Sequence, residues 1–346
     1  MIESVDFSIL VCTECTSNIS CSHHVSNKSE IKTLLKALST NGFIQICNHN
    51  IDESVILNAV QSSKEFFSLN HDQKMLHESK DKARRGYSPI SSENFASLAG
   101  ASNKPNDTVE KYRIGPIVSE SIKILNLEYY DSKEARVHFF ENDWKDLDQE
   151  FIYNMKSYYE VMTNLSAKLL SIIETAVGLT PGFFERVLDK QTSIMSLNYY
   201  PPLSRINTNV STTTRVAEHT DVSMLTIVYQ TTDTVDQNIG GLEVFDATRN
   251  EWLKVPYTPN AFVVNVGDCL SDWSQGLFKS SMHRVLMNDT EESSHRYSMA
   301  YFCTPNYDAE LIWPVDKEES SATITYSTWR KNRIKRAIQM LKKGKQ

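Results

Sequence analysis

From residue 190 onward the chain breaks into short runs rich in β-branched and aromatic residues, and this texture constrains the fold more than any other feature. Ile194 to Tyr200, Met224 to Tyr229, Leu242 to Phe245, Trp252 to Val255, Ala261 to Val266, His283 to Met287 and Tyr297 to Cys303 each read as a strand. Turn residues separate them, among them Gly240-Gly241, Asn250 and Gly267-Asp268. Many short strands with turns between them predict an all-β sandwich or jelly roll. The half before residue 190 is mainly helical. Ile31, Leu34, Leu35 and Leu38 have helical spacing, and Gly42 ends that helix before a strand at Phe43 to Cys47. A second helix is expected over Ser54 to Phe67. A third runs from Phe151 to Val177, where Met155, Tyr158, Met162, Leu165, Leu169, Ile172 and Ala176 make an apolar stripe ended by Gly178. The expected class is α+β, a jelly-roll core buttressed by helices with an N-terminal helical and strand region.

Several function classes fall away on composition. A chain of 346 residues with a net charge of −7 and no large basic block lacks the means to neutralise a phosphate backbone, so nucleic acid is not the expected partner. No apolar run approaches a bilayer span, and Met1 to Leu10 carries Glu3 and Asp6 rather than a signal-peptide pattern. A cytoplasmic location is the resulting expectation. Cys12, Cys15, Cys21, Cys47, Cys269 and Cys303 then read as reduced thiols. Cys12-x-x-Cys15 with Cys21, His23 and His24 has zinc-ligand chemistry, but no second CxxC exists, and the spacing reads as chance. The tail from Trp329 to Gln346, with eight Lys/Arg, reads as a solvated basic helix.

Among nine histidines, two stand in telling company, in Glu218-His219-Thr220-Asp221 and in Met282-His283-Arg284-Val285. Residues two apart on a strand share a face, so His219 and Asp221 are expected to project together, with His283 supplied by another strand. Two imidazoles and a carboxylate on one side leave adjacent metal positions open, which suits Fe(II) oxygenases. Catalytic zinc with three protein ligands and a water fits the same residues. Arg296-Tyr297-Ser298 pairs a guanidinium and a hydroxyl on one face, a receptor for a carboxylate. Asn198-Tyr199-Tyr200 adds an amide and a phenol at the same alternation.

The ordered set Asn-Tyr-Tyr-Pro-Pro (198–202), His-Thr-Asp (219–221), Gly-Gly-Leu-Glu-Val (240–244), Val-Asn-Val-Gly-Asp (264–268), His-Arg-Val (283–285) and Arg-Tyr-Ser (296–298) resembles the isopenicillin N synthase-like family of 2-oxoglutarate/Fe(II) dioxygenases. Asn41 to His49 and Arg85-Gly86-Tyr87-Ser88-Pro89 resemble its N-terminal signatures, so the likeness runs from about Val5 to Pro305. It implies a double-stranded β-helix core, divided as an N-terminal region (1–125), buttressing helices (126–190), the Fe(II)/2-oxoglutarate core (191–310) and a C-terminal helical tail (311–346). It implies Fe(II) on His219, Asp221 and His283, and 2-oxoglutarate held by Arg296 and Ser298, with Tyr200 helping and Asn198 nearby. O2 is then the second cosubstrate, and succinate and CO2 are released. The substrate is a small molecule, and hydroxylation, desaturation and ring closure all remain open. Arg85, Tyr87, Arg215, Tyr229 and Phe302 are expected at the substrate mouth, the two arginines hinting at a carboxylate. The Ser91 to Thr108 stretch reads as a surface loop and a candidate lid.

The pattern departs from the family at Asn50, where Gly is usual, in the Thr-rich approach at 211–215, and in an added turn at 233–238. Two alternatives stay open: a 2-oxoglutarate-independent oxidase of the isopenicillin N synthase type, and a non-catalytic metabolite-binding protein on the same fold. Oligomeric state is not legible.

Overall fold

The computed structural model describes residues 2–10, 28–81, 83–94, 106–202, 214–232, 241–287, 295–313 and 324–343. Cys12, Cys15, Cys21, His23 and His24, the middle of the 91–108 loop, residues 211–213 and the turn at 233–238 lie outside the described residues. The N-terminal elements are β1 (Ser4–Asp6), α1 (Phe7–Leu10), α2 (Lys28–Thr40), β2 (Phe43–Cys47), α3 (Glu53–Ser68), α4 (His71–Met75), β3 (Gly86–Ser88) and β4 (Glu110–Ile114). Four helices follow: α5 (Glu120–Leu125), α6 (Leu127–Tyr130), α7 (Lys133–His138) and α8 (Gln149–Ala176). The rest is β5 (Ile194–Tyr200), β6 (Thr214–His219), β7 (Leu225–Thr232), β8 (Leu242–Asp246), β9 (Glu251–Lys254), β10 (Phe262–Val266), α9 (Asp268–Trp273), β11 (His283–Leu286), β12 (Arg296–Cys303) and α10 (Tyr326–Lys343).

Two sheets carry the described strands. The larger runs β1-β2-β10-β7-β12-β5-β4-β3, and the smaller runs β6-β11-β8-β9. The N-terminal strands extend the large sheet at both edges, since β2 pairs with β10 and β4 with β5. Segments 1–125 and 191–310 therefore share one sheet.

Strand alternation gives the large sheet two apolar faces. Leu197, Ile227, Val264, Tyr297, Met299 and Tyr301 belong to the same core cluster as Met155, Tyr158, Met162 and Leu165 of α8. Tyr159 of α8 meets Tyr301 edge to face with ring centroids 5.4 Å apart. On the inner side, Phe43, Tyr200, Val216, Val244, Val263 and Val285 form a second layer between the sheets. Two sheets face to face around an inner layer make the expected jelly roll, with helices covering the outer face of the larger sheet.

Asp148 starts α8, its carboxylate accepting from the Glu150 and Phe151 N–H groups, and Gly178 follows its end with φ 77°. Along the apolar stripe Ile173 is buried in place of the expected Ile172. At about 3.6 residues per turn Ile173 lies about five whole turns after Met155 and in line with it, while Ile172 falls at the edge of the stripe and is partly buried. Asn50 takes φ 56°, the left-handed conformation for which glycine is usual, and its short amide side chain tolerates it.

The tail corrects one expectation. Helix α10 is not solvated all round, because Tyr326, Trp329 and Ala337 are buried. Their spacing of three, then eight, places them on one stripe that docks on the body.

Candidate active site

His219 closes β6 and His283 opens β11, directly opposite each other in an antiparallel pair. The ladder slips between them and the next pair, Val285 opposite Val216, so four residues of β6 span three of β11. This bulge lets both Val216 and His219 face the inner layer, which strict alternation over three residues would forbid. Asp221 is not on the strand with His219 as expected; it sits in the corner after β6. The corner turns its carboxylate back, with Oδ1 3.8 Å from His219 Nε2 and 3.7 Å from His283 Nε2. One donor atom from each residue lies within 4.8 Å of the other two, and all three residues are buried.

The imidazole tautomers follow from their second nitrogens. His219 Nδ1 lies 2.8 Å from the Ala217 carbonyl and His283 Nδ1 3.2 Å from that of Ser281. A carbonyl only accepts, so each Nδ1 carries the proton and each Nε2 presents a lone pair to the site. Burial, with His283 beside it, pushes the His219 imidazole well below its ordinary value, so the ring is neutral. Burial pushes the Asp221 carboxyl up, but the two histidines and hydrogen bonds from Thr226 and Asn265 outweigh it and hold the group below its usual range. Two imidazoles that turn Nε2 toward one point and a carboxylate fit a divalent ion. Donors about 2.1 Å from an ion stand about 3 Å apart when adjacent, so small side-chain rotations close this set on a metal.

Asp221 is itself oriented. Its Oδ2 accepts from Thr226 Oγ1 at 2.6 Å and from Asn265 Nδ2 at 2.8 Å. Gly267 lets the start of α9 press onto this corner, since a Cβ there would collide with the Ser223 carbonyl. The Asp268 N–H then reaches the Asp221 carbonyl at 2.7 Å.

A second polar group lies on the inner face of β12, β5 and β7. Arg296 is opposite Tyr200, and Ser298 opposite Asn198. The guanidinium stands 4.4 Å over the Tyr200 ring, and its Nη2 donates to Gln230 Oε1 at 2.7 Å. Its Nε and Nη1 are buried and have no hydrogen-bond partner among the described residues. Asn198 Nδ2 donates to Ser298 Oγ at 3.2 Å, and Asn198 Oδ1 accepts from Ser196 Oγ at 2.9 Å. A buried cation with open donors is costly until an anion completes it. The donor set fits the far carboxylate of a keto diacid.

Three of the five expected substrate contacts are placed elsewhere. Arg85 spends its guanidinium on the carbonyls of Ala83, His138 and Phe140 at 3.1, 2.9 and 3.4 Å, which ties the approach to β3 to the end of α7. Tyr87 donates to Glu110 Oε2 at 2.7 Å and packs on Phe66, in the helix-facing layer. Tyr229 packs on Phe262 in that same layer, whereas its neighbours Val228 and Gln230 face inward. Phe302 shares the parity of Arg296 and Ser298, opposite Thr226. Arg215 is fully buried on β6, its carbonyl accepting from the Thr108 N–H at 2.9 Å.

The 91–108 stretch is not a surface loop at its ends. Glu93, Asp107 and Thr108 are buried. Glu93 pairs with Lys111 at 3.2 Å, with Arg84 at 3.0 Å, and with Arg113, whose Nη2 lies 2.5 Å from Oε2. Asp107 Oδ1 accepts from the Ala217 N–H, two residues before His219. Residues 95–105, the middle of the stretch expected as a lid, lie outside the described residues.

The residues that sequence reasoning passed over are Thr226, Gln230, Asn265 and Lys111. Asn265 had a signal: it is the one polar residue in Phe262-Val263-Val264-Asn265-Val266, a strand that is buried throughout. Lys111 lies opposite Asn198 and is buried near His219, whose proton affinity its charge helps to lower.

Residues 191–305 match the 2OG-Fe(II) oxygenase superfamily, and residues 16–135 match the N-terminal region described as non-haem dioxygenase in morphine synthesis. The chain is 31% identical over 293 residues to a proline hydroxylase, buaE, of Petromyces alliaceus, covering 81% of this chain and 83% of that one. It is 28% identical over 300 residues to gibberellin 20 oxidase 2 of Arabidopsis thaliana, covering 86% and 71%. The crystal structure of a full-length Neurospora crassa protein in complex with alpha-KG superposes with a TM-score of 0.73 at 24% identity, covering 97% of this chain and 95% of that one, a likeness of fold.

Proposed function

The chain belongs to the 2OG-Fe(II) oxygenase superfamily and is an Fe(II)- and 2-oxoglutarate-dependent dioxygenase acting on a small metabolite, and we propose that its substrate carries a carboxylate. In this reading His219, Asp221 and His283 hold the ferrous ion. Arg296 and Ser298 take the distal carboxylate of 2-oxoglutarate, with Tyr200 stacked under the guanidinium and Asn198 orienting the Ser298 hydroxyl. When bound, iron and 2-oxoglutarate together activate O2 and supply the oxidant, with release of succinate and CO2. The chain's own work is orientation. The fixed tautomers keep both Nε2 lone pairs on the site, and Thr226 and Asn265 hold one Asp221 oxygen so that the other faces the histidines. The observation that carries the cosubstrate assignment is the pair of open donors on buried Arg296.

The substrate reading is supported by charge. Lys111, a buried cation shared with Glu93, lies opposite Asn198 on a strand that borders the site, and Phe302 adds an apolar surface on the same inner face as Arg296. A carboxylate-bearing amino acid of modest size suits such a mouth, and one relative is named a proline hydroxylase. The experiment is substrate-stimulated succinate release under O2, with free amino acids set against their methyl esters. Stimulation by the acids alone supports the reading, and equal stimulation by the esters removes the carboxylate requirement. Stimulated oxidation without succinate would move the chain to the 2-oxoglutarate-independent reading.

A further inference from the structure

Arg333 is a charged member of the docking stripe of α10. Tyr326, Trp329, Arg333 and Ala337 follow at intervals of three, four and four, so Arg333 lies on the buried side of an otherwise basic, exposed helix. Trp329 anchors the helix to α9 through Nε1, which donates to Asp272 Oδ2 at 2.9 Å. One turn further on, Arg333 Nε donates to Asp268 Oδ2 at 2.7 Å, and its Nη2 donates to Thr220 Oγ1 at 3.1 Å. Thr220 is the residue between two of the metal-site side chains, His219 and Asp221.

Asp268 is the junction. The Thr220 hydroxyl donates to its Oδ2 at 3.0 Å, and Ser280 Oγ donates to its Oδ1 at 2.6 Å. Its backbone N–H donates to the Asp221 carbonyl at 2.7 Å. Ser280 stands just before Ser281, whose carbonyl fixes the His283 ring. One carboxylate thus ties the His219–Asp221 corner to the approach to His283, and Arg333 neutralises and grips that carboxylate. The Arg333 and Asp268 side chains retain 19% and 13% of their exposure, so the pair is largely shielded and its hydrogen bonds are not easily exchanged for water.

We propose that Arg333 is a positioning residue: acting through Asp268 and Thr220, the docked C-terminal helix holds the two halves of the iron site in register and so sets the affinity for the metal. The inference rests on reading His219, Asp221 and His283 as that site. It assigns the tail a role that its basic composition conceals. Outer partners of metal ligands are worth about 10- to 100-fold in affinity, and Arg333 acts one bond further out, at the low end of that range.

The test uses the full chain, titrated anaerobically with Fe(II) alone by calorimetry, and melted in chelator and at saturating Fe(II). Wild type comes first: failure to bind Fe(II) would remove the iron-site reading and the inference with it. With binding established, Arg333→Ala is expected to weaken Fe(II) about tenfold and to shrink the Fe(II)-induced rise in Tm. Arg333→Lys, which restores the charge but one fewer donor direction, is expected to recover part of the affinity. Lys331→Ala removes a pair with Glu134 on α7 that does not touch Asp268, and is expected to bind Fe(II) as wild type does. Arg333→Ala combined with Asp268→Asn is expected to lose less than the sum of the two. A lower Tm in chelator with unchanged Fe(II) affinity would make Arg333 a docking residue only, and additive losses would mean that Arg333 does not act through Asp268; either result overturns the proposal.

Discussion

Replacing Arg296 by Met separates the receptor role of this residue from a structural one. The guanidinium has two open donors, Nε and Nη1, and one used on Gln230. Two charge-assisted hydrogen bonds to a carboxylate are worth about 1.5–3 kcal/mol each. Truncating the cationic partner of a buried pair costs about 2–5 kcal/mol in binding. At about 1.4 kcal/mol per tenfold, Arg296→Met is expected to raise the Kd for 2-oxoglutarate by between about 30-fold and about 4,000-fold. Folding of the ligand-free protein should change little. The variant loses one hydrogen bond to Gln230, about 1 kcal/mol, and gains the relief of a buried cation whose donors were unmet. At about 2–4 °C per kcal/mol for a domain of 150–250 residues, the shift in Tm stays within a few degrees. The assay is anaerobic titration of the Fe(II)-loaded protein with 2-oxoglutarate, read by calorimetry and by the visible charge-transfer band of the complex. Iron affinity serves as the internal control. A 2-oxoglutarate Kd within threefold of wild type would refute the reasoning. So would a loss of about 3–5 kcal/mol in the ligand-free variant, because that is the signature of a broken buried ion pair.

Three further outcomes are expected. Asn265→Leu removes one of the two hydrogen bonds on Asp221 Oδ2 and should weaken Fe(II) by about 10- to 100-fold; an unchanged calorimetric Kd would show that Thr226 suffices. Burial raises and its cations lower the Glu93 carboxyl, and the cations win, holding it far below its ordinary 4.5. A lowered acid contributes stability that is present above the unfolded value and lost as pH falls below it. Glu93→Gln should therefore lose about 3–5 kcal/mol at pH 7 and show a flatter stability profile below about pH 4.5, checked by urea unfolding. Burial lowers His219 below its ordinary 6.5, so the unfolded chain takes up that proton first and metal-free protein loses stability as pH drops from 6.5 toward 5. His219→Gln should remove this share of the decline in chelator, and parallel profiles would contradict it.

What could be read from the chain alone was whatever depends on local pattern. Alternating β-branched runs and turn residues place the expected strands within a residue or two, because side-chain period and backbone preference are properties of a few neighbouring residues; the exceptions are β7, which runs on to Thr232, and β6, which was not among them. The order of His219, Asp221, His283, Arg296 and Ser298 along those strands carried the chemistry for the same reason. Tertiary structure decided the rest. Which face of β7 looks inward is a matter of partners, and it put Gln230 beside Arg296 and sent Tyr229 to the helices. The donors of Arg85 went to carbonyls more than fifty residues away, which no spacing rule anticipates. The bulge on β6 and the corner after it bring Asp221 to the histidines by hydrogen bonds from β7, β10 and α9. Arg333 meets Asp268 only because an apolar stripe docks α10 on α9, a contact set by burial across sixty-five residues of chain. Sequence specifies donors and periods locally, and the fold decides which donor is left open.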